Sequence, residues 1–173
     1  MDTKTYCIRY GILTASDSGS RGERPSDLSG DAVRKCLAGL NAAEVCYAML
    51  PDDKDLIAAR LREWADRGSV DVVFTTGGTG LSPRDVTPEA TIAVLDRLAP
   101  GFSEAMRAES LKKTSRAMLS RGVCGTRGRC LIINLPGSPR AVSESLEVIL
   151  PVLPHAVEVL CGQARECAAE VVK

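Results

Sequence analysis

Apolar and polar positions change period several times along the chain, and each change marks an element. Tyr6 to Ala15 (YCIRYGILTA) is a largely apolar run that predicts a first strand. Ser16 to Leu28 (SDSGSRGERPSDL) is polar, with two glycines and a proline, and reads as a mobile loop. Val33, Cys36, Leu37 and Leu40 then recur at helical spacing, with Ser29 placed to cap that helix. Glu44 to Leu50 (EVCYAML) predicts a second strand, ending at Pro51-Asp52-Asp53, where an aspartate can cap the helix that carries Leu56, Ile57, Leu61, Trp64 and Ala65 on one face. Val70 to Thr76 (VDVVFTT) has the β-branched, almost wholly apolar character of a central parallel strand.

The second half repeats the pattern. After a glycine-rich stretch, Thr87 is placed as N-cap and Pro88 at the first position of a helix. Pro100-Gly101 breaks it, and Phe102 to Leu111 begins another. Cys130 to Leu135 (CLIINL) predicts a further buried strand, and the turn Pro136-Gly137-Ser138-Pro139 leads into a helix reaching Leu150. Pro151 and Pro154 interrupt or kink the apolar stretch after that helix, and residues 163–173 form a polar, frayed tail. Alternating strands and helices predict a layered α/β fold, with residues 1–162 as one domain.

Composition narrows the function. Aromatics make up only 3% of the 173 residues, so bases have few platforms to stack on. Lysine plus arginine and aspartate plus glutamate balance at 22 each, so no net field favours nucleic acid or an anionic membrane. No apolar stretch reaches the roughly 20 residues of a membrane span, and no signal pattern opens the chain, so a cytoplasmic protein is expected. The seven cysteines include no C-x-x-C pair and only His155 is available to join them, so they read as reduced, mostly buried thiols.

Chemistry concentrates in three loops that follow strands. In an open parallel sheet such loops share one edge, where ligands bind. In TTGGTGLSPRDVTPEAT, Gly77, Gly78 and Gly80 can take φ > 0 and offer backbone N–H groups to phosphate oxygens, with Thr79 and Arg84 as further donors. The loop lacks the Gly-Lys-Ser/Thr ending of a Walker A motif and is not G-x-G-x-x-G; a tight structural turn is the alternative, but three glycines with Thr79 and a following acid favour an anion site. Asp52 and Asp85 follow successive strands and can share Mg²⁺ with substrate phosphates. Otherwise Asp52 caps a helix, and Asp85 pairs with Arg84 or caps its loop; Asp53 stays open as a bystander. Asn134-Leu135-Pro136-Gly137-Ser138 also offers amides at a helix start, which Ser138 as N-cap explains equally well. Ser120, Arg121, Arg127 and Arg129 are spare donors or cations, and His155 a packed or surface residue.

Together, TTGGTG-x3-RD-x-TPEAT, the Pro-Asp after the preceding strand, AMLSRGVCGTRG, LIINLPGSP and ILPVLPHAVEVL resemble the molybdopterin-binding MogA/MoaB family and the gephyrin N-terminal domain. The likeness runs from the first strand to about Leu160. It implies a three-layer α/β sandwich with a mostly parallel central sheet and helices on both faces, assembled as a homotrimer. It implies molybdopterin and MgATP as substrates, adenylyl-molybdopterin and pyrophosphate as products, and handover to a molybdenum insertase. Asp52 and Asp85 match the two aspartates assigned to Mg²⁺ and catalysis. Gly77, Gly78, Thr79 and Gly80 match the phosphate loop; Ser120, Asn134, Pro136, Gly137 and Ser138 match the pterin and nucleotide site; Ser16, Asp17, Asp27, Ser29 and Gly30 match a flexible loop beside it. The extra C-terminal segment of long MogA chains and a second domain of the gephyrin kind are not expected. The rival expectation is a non-catalytic molybdopterin carrier or MoaB-like paralogue.

Overall fold

The computed structural model describes residues 6–162. Six strands form one sheet in the order β2-β1-β3-β6-β5-β4: β1 Ile8–Ala15, β2 Ala42–Leu50, β3 Val72–Thr76, β4 Arg97–Leu98, β5 Cys124–Arg127 and β6 Cys130–Leu135. The first four in that order run parallel; β5 pairs antiparallel with β6, and β4 antiparallel with β5. Every residue of β3 and β6 is buried, as the continuous apolar runs require of strands covered on both faces.

Two cores flank the sheet. On one face Ile12, Phe74, Ile133 and Leu135 pack beneath α2 (Leu28–Leu37), α5 (Pro100–Leu111), α6 (Pro139–Ile149) and α7 (Leu153–Leu160). On the other, Leu13, Val73 and Ile132 meet Ile57, Leu61 and Trp64 of α3 (Lys54–Asp66) and Ala90 of α4 (Thr87–Ile92). The result is a helix–sheet–helix sandwich. No helix among the described residues is long and apolar enough to cross a membrane.

Several local expectations shift. The loop after β1 holds a short helix, α1 (Asp17–Ser20), because the Ser16 hydroxyl accepts the Gly19 N–H at 3.1 Å. Asp27, not Ser29, caps α2 by accepting the Gly30 N–H at 3.0 Å, and Ser29 lies inside the helix. Val86 precedes α4, so Thr87 is its first residue and caps nothing. Pro100-Gly101 begins α5 rather than ending its predecessor, as proline's fixed φ allows in a first turn. The short strands β4 and β5 and the 3-10 turn Ser115–Leu119 carry no periodic signal. Of the six described cysteines, all free, only Cys124 and Cys130 are buried, and burial pushes both thiols up to about 12. Cys167 and the tail at 163–173 lie outside the described residues.

The amino end of the sheet is tied by Asp71, 2% exposed, which accepts from the Arg9 guanidinium at 2.6 and 3.1 Å, the Arg9 N–H at 2.8 Å and the Tyr6 hydroxyl at 2.9 Å. Burial raises the Asp71 pKa, but these donors outweigh it and hold the carboxyl below its usual value. A lowered folded pKa contributes stability above the unfolded value near 3.9, and that contribution is lost as pH falls through the folded one. Because Arg9 is partly exposed, Asp71→Asn should cost about 2 kcal/mol at pH 7. Urea unfolding should show the gap between variant and wild type closing at strongly acid pH.

Candidate active site at the carboxyl edge of the sheet

The four parallel strands end in register, Thr14 beside Thr76 and Thr76 beside Leu135, with Ala15 beside Leu50. Their following loops therefore meet at one edge. β1 lies between β2 and β3, so Asp52 and Asp85 do not follow neighbouring strands; the glycine loop brings them together instead. Gly77 (φ 89°) and Gly78 (φ 62°) take left-handed backbone, whereas Gly80 does not. A Cβ on Gly77 would sit 2.4 Å from the Ala15 carbonyl oxygen. On Gly78 it would sit 2.4 Å from Thr87 Oγ1 and 3.0 Å from Asp52 Oδ1, and on Gly80 2.9 Å from Asp85 Oδ2. The two carboxylates thus lie against one short stretch of backbone.

Asp52 is not a cap: Asp53 takes that role, accepting the Asp55 and Leu56 N–H groups at 3.0 Å. Asp52 Oδ2 instead accepts the Asp17 N–H at 3.0 Å, while the Asp52 N–H donates to Asp17 Oδ1 at 3.1 Å. Its other oxygen, Oδ1, is buried with no partner among the described residues, as is Thr87 Oγ1. Burial raises the Asp52 pKa; the Asp17 amide opposes this, and the charges of Asp17 and Asp85 add to it. A carboxylate so placed favours a proton or a cation. Asp85 Oδ2 staples its own loop by accepting the Ser82 N–H at 2.9 Å. Arg84 pairs not with Asp85 but with Asp17, at 2.8 to 3.1 Å through three contacts, which lowers the Asp17 pKa.

Two cavities open at this edge. One, of about 300 Å³, is lined by Ser16, Asp27, Ser29, Arg24, Met49 and Gly137. Asp27 there accepts from Thr14 at 2.5 Å, Ser29 at 2.8 Å and Tyr47 at 3.1 Å, besides the Gly30 N–H. Burial raises its pKa, yet these donors together lower it. The other cavity, of about 220 Å³, is lined by Ser120, Asn134, Pro136, Arg107, Arg116 and Glu144, among others. The Asn134 side chain is spent on structure: it donates to Thr75 and Thr91 at 2.9 Å and accepts the Val123 N–H at 3.2 Å. Ser138 is exposed at the start of α6 and makes no side-chain cap bond. The glycine loop lines neither cavity but contacts the segments that do: a Cβ on Gly137 would lie 3.3 Å from Gly77 Cα, and the Arg121 N–H, between Ser120 and Gly122, donates to the Thr79 carbonyl at 2.9 Å.

Two residues of the site have roles that their sequence positions do not suggest. Thr87, placed by the sequence as a cap, instead lies against Gly78. Arg121 is no spare cation, since Glu89 and two loop carbonyls hold it. Arg127 is likewise engaged, by Asp66 at 2.8 and 2.9 Å. His155 is on the surface, 3.9 Å from Glu158. No group of three or more histidine, cysteine or acidic residues able to hold a metal occurs among the described residues. Mg²⁺ needs less, since one or two carboxylates, substrate phosphate and water complete its shell. The unpartnered Oδ1 of Asp52 and the nearby Asp85 fit that donor set.

A family model described as a probable molybdopterin binding domain matches residues 11–155. The chain is 45% identical over 157 residues to a molybdopterin adenylyltransferase of Helicobacter pylori, covering 90% of this chain and 89% of that enzyme. It is 46% identical over 154 residues to the molybdenum cofactor synthesis protein cinnamon of Drosophila melanogaster, which covers 88% of this chain but only 26% of that longer protein. The solved structure of the molybdopterin biosynthesis enzyme MoaB from Thermus thermophilus superposes with a TM-score of 0.85 at 53% identity, covering 92% of this chain and 99% of that one.

The close approach at Gly78 makes a direct prediction. Gly78→Ala adds left-handed strain and a clash, and should cost about 2–3 kcal/mol in denaturant unfolding. Gly101→Ala, in open space in the first turn of α5, should be neutral or stabilising by up to about 1 kcal/mol.

Proposed function

We propose an activity from one premise: the chain belongs to the molybdopterin-binding family. The activity is that of a molybdopterin adenylyltransferase in molybdenum cofactor biosynthesis. The terminal phosphate of molybdopterin bonds to the α-phosphorus of ATP, the bond from that phosphorus to the β-phosphate bridge oxygen breaks, and pyrophosphate leaves. The observation that carries this reading is the buried, unpartnered Oδ1 of Asp52 held close to Asp85 across Gly78 and Gly80.

Asp52 and Asp85 would hold Mg²⁺, which when bound neutralises the negative charge gathered on the phosphates. Asp17 orients Asp52 through their paired amide–carboxylate bonds, and Arg84 secures Asp17. The N–H groups of the glycine loop receive phosphate oxygens. Two cavities whose lining segments contact that loop suit a reaction between two bulky substrates. Positioning and charge stabilisation supply the rate, since both reactants bring their own phosphates. Ser16, Asp27, Ser29 and Gly137 would line one substrate site, and Ser120, Asn134 and Pro136 the other; Gly30 and Ser138 support them from helix starts.

The assembly would be a homotrimer working in the cytoplasm. The exposed apolar Leu98 and Val152, beside a groove lined by Pro100, Phe102 and Ala105, support self-association. The adenylylated pterin would pass to a metal-inserting enzyme.

Asp85→Ala should leave thermal unfolding within a few degrees of wild type and cut pyrophosphate release from molybdopterin and ATP by at least about 100-fold, the scale of one removed transition-state contact. A folded Asp85→Ala protein with near-normal turnover would sink the assignment. In wild type at limiting Mg²⁺, turnover should rise with pH as Asp52 ionises, because burial holds that carboxyl above its ordinary value until the ion binds.

A further inference from the structure

One residue outside the glycine loop holds three of its carbonyls. Arg121, on the segment between the 3-10 turn and β5, contributes its N–H to the Thr79 carbonyl at 2.9 Å, its Nε to the Gly80 carbonyl at 2.7 Å and an Nη to the Asp85 carbonyl at 2.6 Å. The Gly78 carbonyl is taken by the Thr87 N–H at the start of α4, at 3.1 Å. Glu89 on α4 holds the guanidinium in place.

These bonds have a consequence for the opposite edge of each peptide. In a planar trans peptide the C=O and the next N–H point in opposite directions. Drawing the Gly78, Thr79 and Gly80 carbonyls toward Thr87 and Arg121 turns the N–H groups of Thr79, Gly80 and Leu81 the other way. None of these three N–H groups has a partner among the described residues. Successive free N–H groups beside left-handed glycines make a concave anion site.

We infer that Arg121 is a positioning residue: it touches no substrate, but its side chain, bonded to the Gly80 and Asp85 carbonyls, fixes the Gly80–Leu81 peptide so that the Leu81 amide joins those of Thr79 and Gly80 in facing a phosphate group. This rests on the reading of the edge as a phosphate-transfer site, and it assigns to an arginine a role usually given to direct phosphate contact. Lysine has one charged centre and cannot span the two carbonyls as the planar guanidinium does.

The test is a titration of the full chain with pyrophosphate, followed by calorimetry and by amide NMR of residues 78–81, for wild type, Arg121→Gln and Arg121→Lys. Wild type should show shifts at the Thr79, Gly80 and Leu81 amides. Arg121→Gln keeps the backbone N–H on the Thr79 carbonyl but loses the side-chain bonds to the Gly80 and Asp85 carbonyls, so the Leu81 shift should be lost and pyrophosphate should bind at least about tenfold more weakly. Arg121→Lys, which keeps the charge and should hold the fold if Gln does not, should recover only part of both. A folded Arg121 variant with wild-type affinity and amide response would overturn the inference, as would a wild-type protein whose 79–81 amides ignore pyrophosphate. Adenylyl transfer is scored separately. Transfer with an indifferent Arg121 refutes the positioning role alone, and an Arg121-dependent amide response without transfer refutes the enzyme reading alone.

Discussion

The chain passes within contact distance of itself at Gly77 and Gly78, and the rest of the edge depends on that approach. Backbone without a Cβ lets β3 end against the Ala15 carbonyl and lets Asp52 and Thr87 close in behind the loop. With any side chain there, the β2 and β3 loops would be pushed apart and the two carboxylates would no longer share a wall. The parallel register of β2, β1, β3 and β6 does the coarse alignment, and the glycines do the fine one.

Around this contact the side chains divide the work. Asp53 and Asp27 cap helices, Asp17 and Arg84 brace Asp52, and Arg121 with Glu89 anchors the glycine loop from the other side. Asp52 Oδ1 is left buried and unsatisfied, which is costly in a folded protein unless something binds there. That cost, placed beside a second carboxylate and a row of free amides, is why the edge reads as a site rather than a turn.

Much of this was legible in the sequence. The run CLIINL gave β6 its observed limits, and loops rich in glycine and proline marked the strand ends at the edge. Caps slipped where acceptors crowd together: Asp27 and Ser29, or Asp52 and Asp53, are equally good by residue type, and only the backbone path chooses. The strands β4 and β5 escaped because a two-residue strand and the mixed CGTR segment carry no period. Arg121 escaped because its side-chain partners lie 32 to 41 residues away, and no local pattern shows a long-range bond.

The central claim is that Asp52 is kept short of partners in order to take a cation beside Asp85. Titrating the Asp52 carboxyl by carbon NMR, with and without Mg²⁺, tests it most directly. The account predicts a midpoint above the ordinary aspartate value without the ion, falling when Mg²⁺ is added, with Asp85→Asn weakening that fall. An Asp52 that titrates as an ordinary aspartate and ignores Mg²⁺ would make the edge a structural turn and contradict the account.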